Sequence, residues 1–145
     1  MSGLRVDAVV LRGEDAELVR YPTDEIWLRA VGHGDIQVAD YVSDDRDGPP
    51  AHSHPWDEAQ IVVEGEAEFR IGDGDWIRGG SGSVQLLPKG VPHAIRVPEG
   101  AARIIQVSIG PPYDAFARDM ARLLAAGAPL DEIAEVARGH GVRLG

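Results

Sequence analysis

Short apolar runs alternate with stretches rich in glycine, proline and charged residues through residues 1–110. Short runs bounded by turn residues are typical of β-strands. No helical pattern long enough to cross over between parallel strands lies among them, so we expect antiparallel pairing. The pattern predicts an all-β fold, either a barrel or a sandwich. The predicted strands are residues 5–11, 26–31, 36–42, 60–63, 67–71, 76–78, 84–87, 93–97 and 102–109, whereas 15–24 is polar and turn-like.

The pattern changes after residues 111–112, which are both proline. Apolar residues then recur at helical spacing with charged residues between them, which predicts an amphipathic helix that ends before Gly127. A second short helix is predicted over 131–138, with Gly139 as its stop. We expect one domain, with the strands in residues 1–110 and a helical appendage in residues 111–145.

Composition narrows the class of protein. The 145 residues are 43% hydrophobic and 26% charged, which is ordinary for one soluble globular domain. The formal net charge of -10 disfavours nucleic acid and anionic membranes as partners. No apolar run approaches the roughly 18 residues of a membrane-spanning helix, and the first residues lack the apolar core of a signal peptide. Because cysteine is absent, disulfides and thiolate metal sites are excluded and a cytoplasmic location is expected.

Residues 48–65 bring several potential metal ligands into one short window. His52 and His54 are two positions apart, so on an extended strand both side chains point to the same face, roughly 6–7 Å apart. Glu58 follows after Pro55 and Trp56, where a bend could bring its carboxylate back toward the imidazoles. A second segment, residues 82–97, reads as a strand, a proline- and glycine-containing turn, and a histidine opening the next strand. That histidine, His93, is the fourth candidate ligand.

The spacing of these residues resembles the two motifs of the cupin superfamily. The first motif contains His-x-His, then three or four residues, a glutamate, six residues and a glycine. The second contains a glycine, five residues, a proline, one residue, a glycine, two residues and a histidine. The matching positions are His52, His54, Glu58 and Gly65 for the first motif and Gly82, Pro88, Gly90 and His93 for the second.

Two positions depart from the cupin pattern. Gly48 lies closer to His52 than in the family motif, and Val97 stands where the motif has asparagine. Neither position is a metal ligand in the family. The resemblance covers roughly residues 25–110 and implies a small jelly-roll barrel, related in the broad sense to quercetin dioxygenases. It also implies a homodimer, which the exposed edges of a β-sheet can support.

The resemblance implies that His52, His54, Glu58 and His93 hold one divalent transition metal ion per chain. Three imidazoles and one carboxylate suit Fe(II), which is favoured here, and also Mn, Ni, Co, Cu or Zn. The same set disfavours calcium and magnesium, which prefer oxygen ligands. Four protein ligands on an octahedral ion leave two positions open, as catalysis requires. Such a site lies in the mouth of the barrel, where small molecules bind.

Two glutamines are candidates for the substrate pocket. Gln60 shares its strand face with Glu58, and Gln106 lies in the last predicted strand. Each side chain points either into the pocket or into solvent. Because a buried amide needs hydrogen-bond partners, an inward-facing glutamine would favour polar groups on a ligand.

Three functions fit the sequence. The first is a mononuclear metal-dependent oxygenase acting on a small organic molecule, with Glu58 also able to accept a proton from the substrate. The second is a redox-neutral isomerase, cyclase or lyase that uses the metal as a Lewis acid, for example an accessory enzyme of polyketide biosynthesis. The third is a non-catalytic cupin that binds a small molecule.

Overall fold

A computed structural model describes residues 3–145 of the chain. Two antiparallel sheets face each other in the arrangement of a jelly roll, and two helices follow them. The strands are β1 (Glu17–Arg20), β2 (Asp24–Ala30), β3 (Ile36–Ser43), β4 (His52–Ser53), β5 (Asp57–Glu64), β6 (Ala67–Ile71), β7 (Ile77–Gly79), β8 (Val84–Leu87), β9 (His93–Arg96), β10 (Ala102–Ile109) and β11 (Arg143–Leu144), and the helices are α1 (Asp114–Ala125) and α2 (Leu130–Gly139).

The larger sheet has six strands in the order β1-β2-β3-β10-β5-β8, and the smaller has five in the order β11-β4-β9-β6-β7. Strand β10 lies inside the larger sheet, between β3 and β5. Its residues alternate between buried and half-buried positions, because every second side chain points between the sheets. The register places Gln106 beside Gln60, and Ser108 beside Glu58. The predicted all-β fold with antiparallel pairing is therefore confirmed.

The first predicted strand, residues 5–11, is wrong. This segment forms one isolated bridge, between Val6 and Gly34, and two backbone hydrogen bonds to the turn around Gly34. Its side chains are exposed, so no sheet face holds it in register. The polar stretch 15–24 contains a strand that the sequence analysis missed, β1. It is an edge strand with exposed charges at both ends, which weakens the alternation that would reveal it.

Two further strands, β4 and β11, are only two residues long and could not be recognised from periodicity. They pair with each other, His52 opposite Leu144, and so tie residues near the C-terminus to the histidine motif. The predicted stop of the second helix also needs correction. Gly139 lies within α2, and the residue with positive φ that ends the helical path is Gly141.

Helix α1 is fixed to the larger sheet by a buried amide. The side-chain oxygen of Gln37, on β3, accepts hydrogen bonds of 3.0 Å from the backbone N–H groups of Tyr113 and Asp114. The amide nitrogen of Gln37 donates to the Asp114 carboxylate at 2.9 Å. These bonds satisfy N–H groups that a helix start leaves free. The buried side chains Ala117, Met120 and Leu123 then pack α1 against the core.

A cluster of charges crosses the outer face of the larger sheet. The carboxylate of Asp40, on β3, accepts hydrogen bonds from Arg29 on β2 and from Arg103 on β10. The shortest distances to the two guanidinium groups are 3.1 and 2.9 Å. Asp40 is buried although its position on the strand faces outward, because the two arginines cover it. Among the described residues, no helix is long and apolar enough to cross a membrane.

Candidate metal centre

The candidate ligands converge between the two sheets. His52 lies on β4 and pairs directly with His93, the first residue of β9. The chain bends at 55–56 and enters β5, whose second residue is Glu58. The larger sheet therefore supplies the carboxylate, and the smaller sheet and the connecting turn supply the imidazoles.

Three of the four candidates form a compact cluster. One ligand atom each of His54, Glu58 and His93 lies within 4.8 Å of the other two, and all three residues are buried. The Nε2 atom of His54 is 3.4 Å from Oε1 of Glu58. Two adjacent ligands at about 2.0–2.2 Å from one ion are about 3 Å apart, so this spacing needs little adjustment to bind a metal.

His52 lies beside this cluster, outside its closest set. Its ring centroid is 4.5 Å from that of His93 and 6.2 Å from that of His54. It is also more exposed than the other two histidines. The structure thus brings three predicted ligands together and leaves the fourth at the edge of the group.

Each imidazole ring is oriented by a hydrogen bond to a backbone carbonyl two residues away. The Nδ1 atoms of His52, His54 and His93 lie 2.9, 2.9 and 3.0 Å from the carbonyl oxygens of Pro50, Trp56 and Val91. A carbonyl oxygen can only accept a hydrogen bond, so each Nδ1 carries the proton. In the neutral form of each ring the lone pair is therefore on Nε2, and this is the form that binds a metal.

Two of these lone pairs have no partner in the described chain. The Nε2 atoms of His54 and His93 are buried and make no hydrogen bond. In this tautomer, His54 presents an acceptor to another acceptor, the Glu58 carboxylate. A cation bound between them would satisfy both groups, whereas leaving them unpaired has a free-energy cost. The residues present therefore fit a transition-metal ion.

Side chains hold the Glu58 carboxylate on both oxygens. Trp56 Nε1 donates to Oε1 at 3.0 Å, and Gln60 Nε2 donates to Oε2 at 2.7 Å. Burial opposes the charge on Glu58, whereas the hydrogen bonds from Trp56 and Gln60 favour it, and the pKa of Glu58 lies below its ordinary value. Glu58 is therefore an anion near neutral pH.

Burial has the opposite effect on the charged form of the histidines. Burial lowers the pKa of His93 to about 4, with a further contribution from neighbouring His52. The pKa of His52 is also lowered, mainly by burial. Both rings are neutral near pH 7, so no proton competes strongly for their lone pairs.

A cavity of about 420 Å³ opens beside the cluster. His52, His54 and Glu58 line part of it, and apolar side chains from the sheets and from both helices form most of its remaining walls. Volumes of about 300–1,000 Å³ are usual for small-molecule sites. The C-terminal helices thus contribute to the cavity wall as well as to the core.

Both candidate glutamines are buried and line this cavity. Gln60 bridges two groups, because its Nε2 donates to Glu58 and its Oε1 accepts a 3.2 Å hydrogen bond from the Tyr41 hydroxyl. Gln106 donates from Nε2 to the hydroxyl of Ser108 at 3.1 Å. Among the described residues, Gln106 Oε1 receives no hydrogen bond.

Residues 43–108, which include all four candidate ligands, match the family described as Cupin domain. The chain contains a cupin domain. Among curated proteins, none matches the sequence of this chain.

Solved structures share the fold of this cupin at low sequence identity. KdgF from Halomonas sp. has a TM-score of 0.64 at 17% identity, covering 74% of this chain and 99% of KdgF. The polyketide cyclase RemF from Streptomyces resistomycificus has a TM-score of 0.60 at 19% identity, covering 71% of this chain and 80% of RemF. Hydroxypropylphosphonic acid epoxidase from S. wedmorenis has a TM-score of 0.62 at 16% identity, covering 74% of this chain and 63% of the epoxidase. At these identities the similarity shows the fold.

Sequence reasoning missed two residues of the cupin site. Trp56, which was not among the predicted site residues, donates to Glu58 and stacks on His54 at 4.7 Å between ring centroids. Tyr41 reaches the ligands through Gln60. The position of Trp56, between two predicted ligands, was the available signal. Tyr41 carried none, because its contact joins strands distant in the sequence.

Proposed function

We propose that this cupin is a mononuclear metal-dependent oxygenase acting on a small organic molecule. The observation that carries the proposal is the convergence of His54, His93 and Glu58, a set of two histidines and one carboxylate. This donor set with open positions is typical of non-haem Fe(II) oxygenases. One further solved structure of similar fold, described as FeII HppE, has a TM-score of 0.60 at 16% identity. A redox-active ion held here supplies Lewis acidity and the electrons with which dioxygen is activated.

The chain's own residues would orient the metal ligands and the substrate. The backbone carbonyls hold the imidazoles in the metal-binding tautomer, and Trp56 and Gln60 hold the carboxylate. His52 stands close enough to His93 to add a fourth ligand after a small movement. The cavity orients the substrate beside the ligands and limits the access of water.

A redox-neutral reaction is the second candidate, and one observation favours it. The Glu58 carboxylate lines the cavity as an anion, so it can take a proton from a substrate bound beside a Lewis acid. Isomerisation, cyclisation and elimination all begin with such a step. The similarity to the cyclase RemF is compatible with this alternative.

The first experiment measures metal content by elemental analysis of the protein and of three single variants. We expect about one metal ion per chain in the wild type and less than a tenth of that in His54→Ala and His93→Ala. His52→Ala should keep part of the metal, because His52 lies outside the closest set. Full metal content in His93→Ala, with the fold intact by circular dichroism, would contradict the proposed centre.

Oxygen dependence then separates the two enzymes. Iron-loaded protein that consumes dioxygen with a candidate substrate, and stops when the solution is deaerated, supports the oxygenase. Turnover without oxygen, with zinc or manganese replacing iron, supports the redox-neutral enzyme. Ligand binding that survives His93→Ala, with no turnover under either condition, supports a non-catalytic binding protein and rejects both.

A further inference from the structure

We propose that the cavity is a chamber for a neutral, largely apolar molecule that contains at least one ring and carries a hydroxyl group. The inference rests on the proposed function in that it takes the cavity beside the ligands as the substrate site. It goes further by naming the chemical class of the substrate. It draws on the side chains of the walls, on the charges that face the cavity and on one unpaired polar atom.

An aromatic wall leads from the ligands into the cavity. Trp56 stacks on His54 with its ring nearly parallel, at 7°. Tyr113 meets Trp56 edge to face, with ring centroids 5.7 Å apart, and Phe116 lies 5.9 Å from Trp56. Aromatic side chains in such arrangements favour ring-containing ligands, which can stack or pack edge to face against them.

Apolar side chains of both helices form a further wall of the cavity, which we call the roof. Helix α1 contributes Met120 and Leu124, and α2 contributes Leu130 and Ile133. The roof is attached firmly, because Gln37 holds the start of α1 and strand β11 pairs with β4 after α2. A ligand that fills this space buries its surface against aliphatic and aromatic carbon, so apolar molecules gain the most from entering.

The charges facing the cavity disfavour anionic ligands. Arg96 is the one arginine or lysine that lines the cavity within residues 3–145. Its guanidinium binds Glu68 at 2.9 Å and lies over the ring of Trp76 at 3.9 Å. Asp24, Asp45 and Glu58 also face the cavity. Away from the metal centre, a carboxylate or phosphonate would find no free cationic side chain and would lie beside carboxylates, which is electrostatically unfavourable.

The side chain of Gln106 offers a polar atom to a ligand. Gln60 uses its amide on Glu58 and Tyr41, whereas Gln106 uses only its nitrogen, on Ser108. Gln106 lies on β10, directly opposite Gln60 on β5. The next inward-facing residue of β10 is Ser108, which lies opposite Glu58. A free acceptor at that place binds a hydroxyl donor and selects for a ligand that carries one.

Matched probes test the inference. We would measure binding of 2-naphthol, 2-naphthoate and 2-methoxynaphthalene by isothermal titration calorimetry under argon, with metal-loaded and chelator-treated protein. The three share one ring system and differ in charge and in the hydroxyl donor. In the chelator-treated protein, where no ion can bind the carboxylate, we expect 2-naphthol to bind at least 10-fold more tightly than 2-naphthoate. Equal or tighter binding of 2-naphthoate to that protein would overturn the inference.

Three variants locate the binding. Met120→Trp fills the roof side of the cavity and should weaken 2-naphthol binding at least 10-fold, whereas Ala125→Trp adds the same ring at an exposed position of α1 and should not. Gln106→Leu should weaken 2-naphthol by about 3–10-fold, the size of one hydrogen bond, and leave 2-methoxynaphthalene unchanged. Unchanged binding of 2-naphthol in Met120→Trp would place the ligand elsewhere and reject the chamber.

The outcomes separate this inference from the proposed function. If the protein holds a metal but binds none of the three probes, the chamber is rejected and the metal centre stands. If it binds 2-naphthol as expected but holds no metal after reconstitution with iron, manganese and zinc, the chamber stands and both enzyme proposals fail.

Discussion

The indole N–H of Trp56 donates a 3.0 Å hydrogen bond to Oε1 of Glu58, the oxygen that also faces His54. Trp56 is 2% exposed and its ring stacks on His54, so one side chain fixes the orientation of two candidate ligands. Such supporting residues typically change metal affinity by about 10–100-fold when they are replaced.

Trp56→Phe should therefore lower metal affinity about 10-fold while the protein stays folded. Phenylalanine keeps an aromatic ring but loses the N–H donor. Competition with a chromophoric chelator measures the dissociation constant. Trp27→Phe is the matched control, because Trp27 lies on β2 and forms no contact with the ligand cluster. Equal affinities in the two variants would show that the hydrogen bond does not support the site.

Gln60→Leu should destabilise the metal-free protein by about 1–3 kcal/mol, because it leaves the buried Tyr41 hydroxyl without its acceptor. Tyr41→Phe should cost about 1 kcal/mol, since it removes both the hydroxyl and its need for a partner. The double variant should be less destabilised than the sum of the two single variants. Urea unfolding of all four proteins measures this coupling, and strict additivity would contradict a direct Tyr41–Gln60 bond.

Asp40 should contribute pH-dependent stability. Hydrogen bonds from Arg103 lower the pKa of Asp40 more than burial raises it, and Arg29 lowers it further. A carboxyl whose pKa is lower in the folded state stabilises the protein above its unfolded-state pKa of about 3.9, and this stabilisation disappears as pH falls through the folded-state value. Asp40→Asn should cost about 1–3 kcal/mol at pH 7, and less as the pH falls below about 4.

Urea unfolding of the wild type and Asp40→Asn between pH 7 and pH 3 measures this difference. Asp73→Asn removes the same charge from an exposed position in the turn after β6 and serves as control. A stability difference for Asp40→Asn that stays constant down to pH 3 would reject the pH-dependent contribution.

Gly65→Ala should be far more damaging than Gly72→Ala. Both glycines have positive φ, at 78° and 55°. A methyl group at Gly72 meets nothing within 4 Å, so only the backbone conformation opposes it, at about 1–2 kcal/mol. At Gly65 the methyl group would overlap the carbonyl oxygen of Ala101, which belongs to the backbone and cannot rotate away. Thermal unfolding should show the larger decrease in melting temperature for Gly65→Ala, and equal decreases would contradict the close approach.

The strands with clear apolar periodicity were predictable because one sheet face must be buried. Residues 67–71, 84–87 and 102–109 were predicted with the boundaries that the structure has. The edge strand β1 was missed, because the charged residues at its ends interrupt the alternation of apolar and polar positions. The short strands β4 and β11 exist only because they pair with each other, and no local pattern records that contact.

The residues of the candidate site were predictable from the sequence, but their arrangement was not. The spacing of His52, His54, Glu58 and His93 identified the candidate ligands, but spacing does not show that His52 stands at the edge of the group. Gln60 and Gln106 were placed on the correct strands, whereas their hydrogen bonds depend on the register of β5, β10 and β3. Register is set by packing across the whole sheet, so sequence alone left their orientation open.

The backbone carbonyls that hold the imidazoles have a consequence for heat resistance. Pro50, Trp56 and Val91 position the rings before any ion arrives, and the unfolded chain has no equivalent arrangement. An ion that binds the folded state alone stabilises it by mass action, by about 2.7 kcal/mol when its free concentration is 100 times the dissociation constant. The melting temperature of the protein would then rise and fall with the free metal concentration around it. Metal starvation would shorten the lifetime of the folded protein and would also leave the site without its ion.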